Sequence, residues 1–212
     1  VKTGIRALDE LLQPAKSLLI YGEAGSGKTT LALQIAKDVV KNHANVLYVT
    51  DKDEPLERAQ DLLGIEALVN NFFILKLNSF KDFMTFVNEV DLLVESIEAR
   101  LVIVDTVSRL YQLITSQVFQ ENVAKSRLLN LGLARLKTAL NMLDVKLVGI
   151  SGVALDNMPV CRKSIIPHFN VVLETRNLSD GFKEISIIKP PLKLRVKALI
   201  TDAGVMETDV FA

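Results

Sequence analysis

Gly22-Glu23-Ala24-Gly25-Ser26-Gly27-Lys28-Thr29 matches G-x-x-x-x-G-K-[ST] at every fixed position. Glycines at these places let successive backbone N–H groups turn inward on phosphate oxygens. A helix opening near Gly27 adds the positive end of its dipole to the same spot. Lys28 would reach the β- and γ-phosphates as a point charge, Thr29 would place a hydroxyl on Mg²⁺, and Thr30 follows in the first helical turn. Gly22, Glu23, Ala24, Gly25, Ser26, Gly27, Lys28, Thr29 and Thr30 therefore form the candidate nucleotide-binding set, with ATP and Mg²⁺ as the expected ligands. Asp105 closes the apolar run "LVIVD" (101–105) and is the natural second partner for the metal. It also reads as an ordinary strand-terminal aspartate that caps the next segment.

Such a grip needs a strand before it, a helix after it and a second strand beside it, and the chain supplies all three. "SLLIYG" (17–22) reads as a strand and Gly27 to about Lys41 as a helix with Leu31, Ile35 and Val39 on one face. "NVLYVT" (45–50), "FFILKL" (72–77), "LVIVD" and "VKLVGI" (145–150) are further strands. Helices are expected from Pro55 to Leu63, from about Ser79 to Ala99 with "SFKD" as a capping start, and from about Glu121 to Leu143. Continuous Val/Ile/Leu runs alternating with helices predict a mostly parallel sheet covered on both faces. After Ile150 the pattern changes. Residues 151–167 have no period and predict a mobile loop, followed by three alternating runs at 169–176, 182–189 and 192–200. Those runs predict an antiparallel extension of the sheet. One α/β domain spanning 1–212 is expected, without repeats or linkers.

Composition excludes several classes. The 212 residues carry 25 Lys+Arg against 25 Asp+Glu, so a globally basic nucleic-acid binder is not indicated, although a local basic patch is compatible with that balance. The single cysteine, Cys161, cannot form an internal disulfide and suits a reducing cytoplasm. No apolar run approaches the roughly 18–20 residues of a membrane span, and the charged start "VKTGIRALDELL" does not fit a signal peptide. A cytoplasmic protein with no membrane partner is expected.

Several segments together resemble a known family. "TGIRALDELL" (3–12), "GKTTLALQIA" (27–36) and "LVIVDTVSRLY" (101–111) resemble the RecA-type ATPase core. "NNFFILKLNSFKDF" (70–83) and "LITDAGV" (199–205) narrow the resemblance to the archaeal RadA/RadB recombinase family, and within it to RadB-type paralogues that consist of the ATPase core. The resemblance implies an ATP-binding accessory in homologous recombination and DNA repair, with single-stranded DNA and the main recombinase as partners and a homo-oligomeric interface near the ATP. The opening "TG…LD.LL" segment is shared with KaiC-like regulatory ATPases, which supply one alternative. A nucleotide-binding interaction protein without DNA binding is another.

Two departures from the family bear on turnover. The family's strand two leads into Tyr-Ile-Asp-Thr-Glu-Gly, whose Glu orients the attacking water. This chain reads Tyr48-Val49-Thr50-Asp51-Lys52-Asp53, which puts Lys52 at that position. Asp53 or Glu54 would take the catalytic role if the loop slips by one or two residues, and with Lys28 they form the candidate catalytic set. After strand five the family carries Thr-Asn-Gln-Val, whose Gln senses the γ-phosphate. Here Ile150-Ser151-Gly152-Val153 leaves Gly152 in its place. ATP binding with weak or absent hydrolysis is the expectation, since general-base help is typically worth about 10²–10⁴-fold. For DNA, the loop at 151–167 offers Arg162 and Lys163, with His168 nearby and Asp156 opposing. Lys193, Arg195 and Lys197 share one face of the last run, where they read equally well as charges guarding an edge strand. Lys189, before Pro190-Pro191, corresponds to a family segment that reaches the nucleotide of a neighbouring subunit. Arg109 and Tyr111 read better as helix-facing or core residues.

Overall fold

Four Val/Ile/Leu runs lie side by side at the centre of the structure, buried on both faces because helices cover both. The computed structural model describes residues 2–52, 55–112 and 119–211, and of 55, 110–112 and 119–125 the backbone alone. In chain order the elements are α1 (Arg6–Leu12), β1 (Ser17–Gly22), α2 (Lys28–Lys41), β2 (Asn45–Thr50), α3 (Pro55–Leu63), α4 (Ile65–Asn71), β3 (Phe72–Lys76) and α5 (Phe80–Ser96). Then follow β4 (Ala99–Asp105), α6 (Val107–Gln112), α7 (Phe119–Met142), β5 (Lys146–Ser151), α8 (Arg162–Ile165), a 3₁₀ turn (Ile166–His168), β6 (Val171–Asn177), β7 (Lys183–Lys189), β8 (Arg195–Thr201) and β9 (Gly204–Phe211).

One nine-stranded sheet has the order β3-β2-β4-β5-β1-β6-β7-β8-β9. Pairing is parallel from β3 through β6 and antiparallel from β6 to β9. The fold is thus the RecA-like P-loop α/β arrangement, with β1 central and its phosphate loop at the carboxyl ends of the parallel strands. One core lies between the sheet and α1–α3, around Ile20, Ile35, Tyr48 and Ile103. The other packs α5 and α7 on the opposite face, around Leu19, Phe83, Val102 and Leu136. Among the described residues no helix is long and apolar enough to cross a membrane.

Several expectations need correction. The helix opened by "SFKD" stops at Ser96, not Ala99: Glu98 takes φ +51°, which ends the helix, and Ala99 pairs with Asn45 as the start of β4. Its capped start holds, with Asp82 N–H donating to Ser79 Oγ at 3.2 Å and Ser79 N–H to Asp82 Oδ2 at 2.9 Å. Residues 151–167 are not wholly irregular, because Val153 bridges Pro159 and α8 follows. The run holding Arg195 and Lys197 is no edge: β8 lies between β7 and β9, and Lys193 precedes it. The edge on that side is β9, which the sequence pattern did not reveal.

Candidate nucleotide site

The loop between β1 and α2 is fixed from its own backbone and from the neighbouring strand. At Gly22 a Cβ would stand 2.0 Å from the carbonyl oxygen of Thr175, so β1 and β6 meet there with no room for a side chain. Gly27 takes φ +90°, the left-handed region, and a Cβ on it would lie 2.6 Å from Ile200 Cδ1. Ser26 is buried, and its hydroxyl donates to Glu23 O at 2.8 Å and lies 2.6 Å from Thr175 Oγ1. Asn177 holds the outer turn by donating to Ala24 O at 3.1 Å. Glu23, Ala24 and Gly25 form the exposed tip. This scaffold leaves Lys28 and Thr29 to face a ligand.

Thr29 Oγ1 donates to Asp105 Oδ2 at 2.9 Å, and Tyr48 OH donates to the same oxygen at 2.6 Å. β2 and β4 are paired in register with Thr50 opposite Asp105, which brings Tyr48 beneath the carboxylate. Asp105 is 2% exposed, and its Oδ1 is buried with no hydrogen-bond partner. A buried carboxylate oxygen left without a donor is costly unless something else satisfies it. An oxygen-liganded cation or one of its waters would do so. One carboxylate plus one hydroxyl is a donor set suited to Mg²⁺, which keeps several waters and takes further oxygens from phosphates. No group of three His, Cys, Asp or Glu side chains suited to a metal occurs among the described residues.

The electrostatics agree with that chemistry. Burial pushes the Lys28 ammonium below its ordinary pKa, the Asp105 charge draws it back up, and Lys52 pushes it down again. Lys28 donates meanwhile to the carbonyl of Glu23. Burial, then the Asp105 charge and hydrogen bond, hold the Tyr48 phenol far above its ordinary range, so it is a permanent donor. Lys52 is exposed, two residues past the end of β2, with its N–H on Thr50 Oγ1 at 3.1 Å. Asp53 and Glu54 lie outside the described residues. Asp51 pairs with Arg109 Nε at 3.2 Å. Gly152 donates its N–H to Ser108 Oγ at 3.1 Å, and a Cβ there would meet only that oxygen, at 3.9 Å.

The DNA candidates do not gather into one free patch. Arg162 pairs with Asp156 at 3.4 Å, Arg195 lies 3.9 Å from Glu184, and Lys197 pairs with Asp180 at 2.8 Å while resting over the Phe182 ring. Lys163 and Lys193 are exposed. Lys189 sits near the amino end of β6, opposite Val172, at the far end of the sheet from the phosphate loop of its own chain. The side chain of Tyr111 lies outside the described residues. Tyr48 was not anticipated as part of the site. The only signal for it was the alternation of "NVLYVT", which puts Tyr48 and Thr50 on one face.

Fold and loop together define a RecA-like P-loop ATPase core. Residues 1–139 match the family described as "ATPase: KaiC", and the chain belongs to that family. It is also similar to proteins named "DNA repair and recombination protein RadB". That of Archaeoglobus fulgidus is 32% identical over 116 residues, covering 53% of this chain and 52% of the relative. That of Methanosphaera stadtmanae is 31% identical over 96 residues, covering 43% and 41%. That of Methanococcoides burtonii is 27% identical over 113 residues, covering 50% of each. The chain thus spans about half the length of the curated relatives it matches, and its core is RadB-like.

Proposed function

We propose that this chain binds Mg·ATP at the β1–α2 loop, hydrolyses it slowly, and serves as an accessory to a recombinase in homologous recombination and DNA repair. The observation that carries nucleotide binding is the buried Asp105 carboxylate, one oxygen taken by Thr29 and Tyr48 and the other without a partner, beside Lys28. Lys28 supports the phosphates with its charge, while Thr29 and Asp105 would hold the metal. Mg²⁺ bound there would neutralise phosphate charge. Slow turnover rests on the cation at Lys52 and the missing side chain at Gly152, each where an active relative carries a group that acts on the γ-phosphate.

Calorimetric titration with Mg·ATP and a phosphate-release assay test the reading together. Binding at or below the millimolar range with turnover far below that of an active recombinase is expected. Turnover equal to such an enzyme, or binding indifferent to Asp105→Ala, would sink it. The accessory role draws on the RadB names, and salt-dependent binding of single-stranded DNA together with capture of the recombinase tests it. The family match over 1–139 favours a second reading, a KaiC-like regulatory ATPase. That reading predicts ATP-dependent assembly of the chain with itself and no affinity for DNA. We take 1–212 as one ATP-binding unit acting in the cytoplasm.

A further inference from the structure

Among the described residues, β7, β8 and β9 are covered on one face only. Ile185, Ile187, Val196 and Val205 belong to the core beneath α1–α3, whereas the core under α5 and α7 reaches no farther than Val172 of β6. Side chains alternate along a strand, so Glu184, Ser186 and Ile188 of β7 point to the bare face. Strand pairing sets Ser186 opposite both Glu174 and Arg195, Arg176 opposite Glu184, and Phe211 opposite Arg195. With Leu192 and Lys193 from the β7–β8 turn, these residues line a cavity of about 700 Å³. That volume lies inside the roughly 300–1,000 Å³ range of ligand pockets.

The carboxylates of this lining are satisfied within the protein, and its cations are not. Glu174 is buried, with Arg176 Nη2 3.0 Å from its Oε1 and 2.9 Å from its Oε2. Glu184 Oε1 accepts from the Ser186 hydroxyl at 3.3 Å. Arg195 Nη1 stands 3.9 Å from Glu184 Oε2, beyond hydrogen-bond reach, and its side chain is 64% exposed. Lys193 is exposed too, and among the described residues neither cation makes a side-chain hydrogen bond. Their donors face the cavity unspent, and a guanidinium fork matches a carboxylate in two parallel bonds. Ile188, Leu192 and Phe211, all part-exposed, supply an apolar wall beside them. A fitting ligand therefore brings acceptors and an apolar side chain together. Repeated phosphates fit poorly, because Glu174 and Glu184 share the lining and Asp180 and Asp209 both lie against Lys197. A peptide can instead set its carboxylates on Lys193 and Arg195 and keep clear of Glu184.

We propose that the bare face of β7–β9 docks an acidic peptide segment of a partner protein. Its carboxylates meet Lys193 and Arg195, and a neighbouring aliphatic or aromatic side chain packs on Ile188, Leu192 and Phe211. The surface does not depend on the nucleotide reading above. An array of synthetic nonapeptides tests it, with two Asp and one Phe or Leu at every placement in a Gly/Ser background. Retention is expected only where Asp and the apolar residue occur together, and Asn in place of Asp abolishes it. For the best peptide, fluorescence anisotropy is expected to show at least tenfold weaker binding to K193Q/R195Q. E184Q, which removes the carboxylate competing for Arg195, is expected to bind that peptide at least twofold more tightly. A merely structural role for Glu184 gives no such gain. An array that retains no acidic peptide, or retains Asn counterparts equally, would overturn the surface whether or not the double variant folds. Equal binding by K193Q/R195Q with native circular dichroism would overturn it as well. So would oligo-dT of about 15 nucleotides that binds the parent, displaces the peptide and weakens tenfold in K193Q/R195Q, since the face then belongs to nucleic acid.

Discussion

Asp105 gives one oxygen to Thr29 and Tyr48 while the other is buried without a hydrogen-bond partner, so its neighbours can be separated by substitution. Tyr48→Phe removes a hydrogen bond to a charged group and is expected to cost about 1.5–3 kcal/mol, read from urea unfolding. The phenol's pKa is raised on folding above its ordinary 10.0, so its contribution is present below that pH. It is lost as pH rises further, because the unfolded chain ionises first. Tyr21, pushed up to about 12 by burial and then by the Glu174 charge, acts in the same direction. Urea midpoints measured from pH 9 to 11 are expected to fall less steeply in Tyr48→Phe than in the parent. For turnover the informative residue is Lys52. Lys52→Glu, combined with Gly152→Gln in the open space beside Ser108, is expected to raise phosphate release at least tenfold. An unchanged rate would mean that Asp53 or Glu54 already supplies the carboxylate.

Elements decide whether those residues meet. Ser79→Ala at the start of α5 is expected to cost about 1 kcal/mol in a thermal or urea melt, since the side chain caps Asp82 N–H. Hydrogen bonds from Asn78 and Ser79 hold the Asp82 carboxyl below the usual carboxylate range. That support is therefore present above about pH 3.8 and fades as pH falls through the lower folded value. Gly27→Ala meets both a left-handed backbone and Ile200, and is expected to abolish Mg·ATP binding while circular dichroism stays native. These elements were unequally legible from sequence. β1, β2, β4 and β5 announce themselves because burial on both faces demands unbroken apolar runs. β9, with "GVMETDVF", has only its first two residues buried and carries the mixed pattern of an edge. α4 buries none of its seven residues and so left no periodic signal. The phosphate loop is legible because its spacing is local. The contact of Tyr48 with Asp105, 57 residues apart, depends on strand order, which spacing does not encode.

Across the whole molecule, α2 ties both ends of the chain to the nucleotide loop. Gln34 donates to Thr3 O in the opening segment and to Val205 O at 3.1 Å, and accepts from Val205 N–H at 2.6 Å. Gln34→Ala is expected to speed hydrogen exchange at Val205 by tenfold or more, and to leave the Ala99–Asp105 strand protected. The sheet order has a further consequence for how the protein is made. Gly22 and Ser26 complete their packing only against Thr175, and Ala24 only against Asn177, on a strand about 150 residues later in the chain. A ribosome must therefore release most of the polypeptide before the grip on phosphate can close. Nucleotide added to nascent chains arrested before residue 171 should find nothing to hold, and affinity should arise abruptly once β6 has emerged. ATP binding would then mark chains whose synthesis has passed that point.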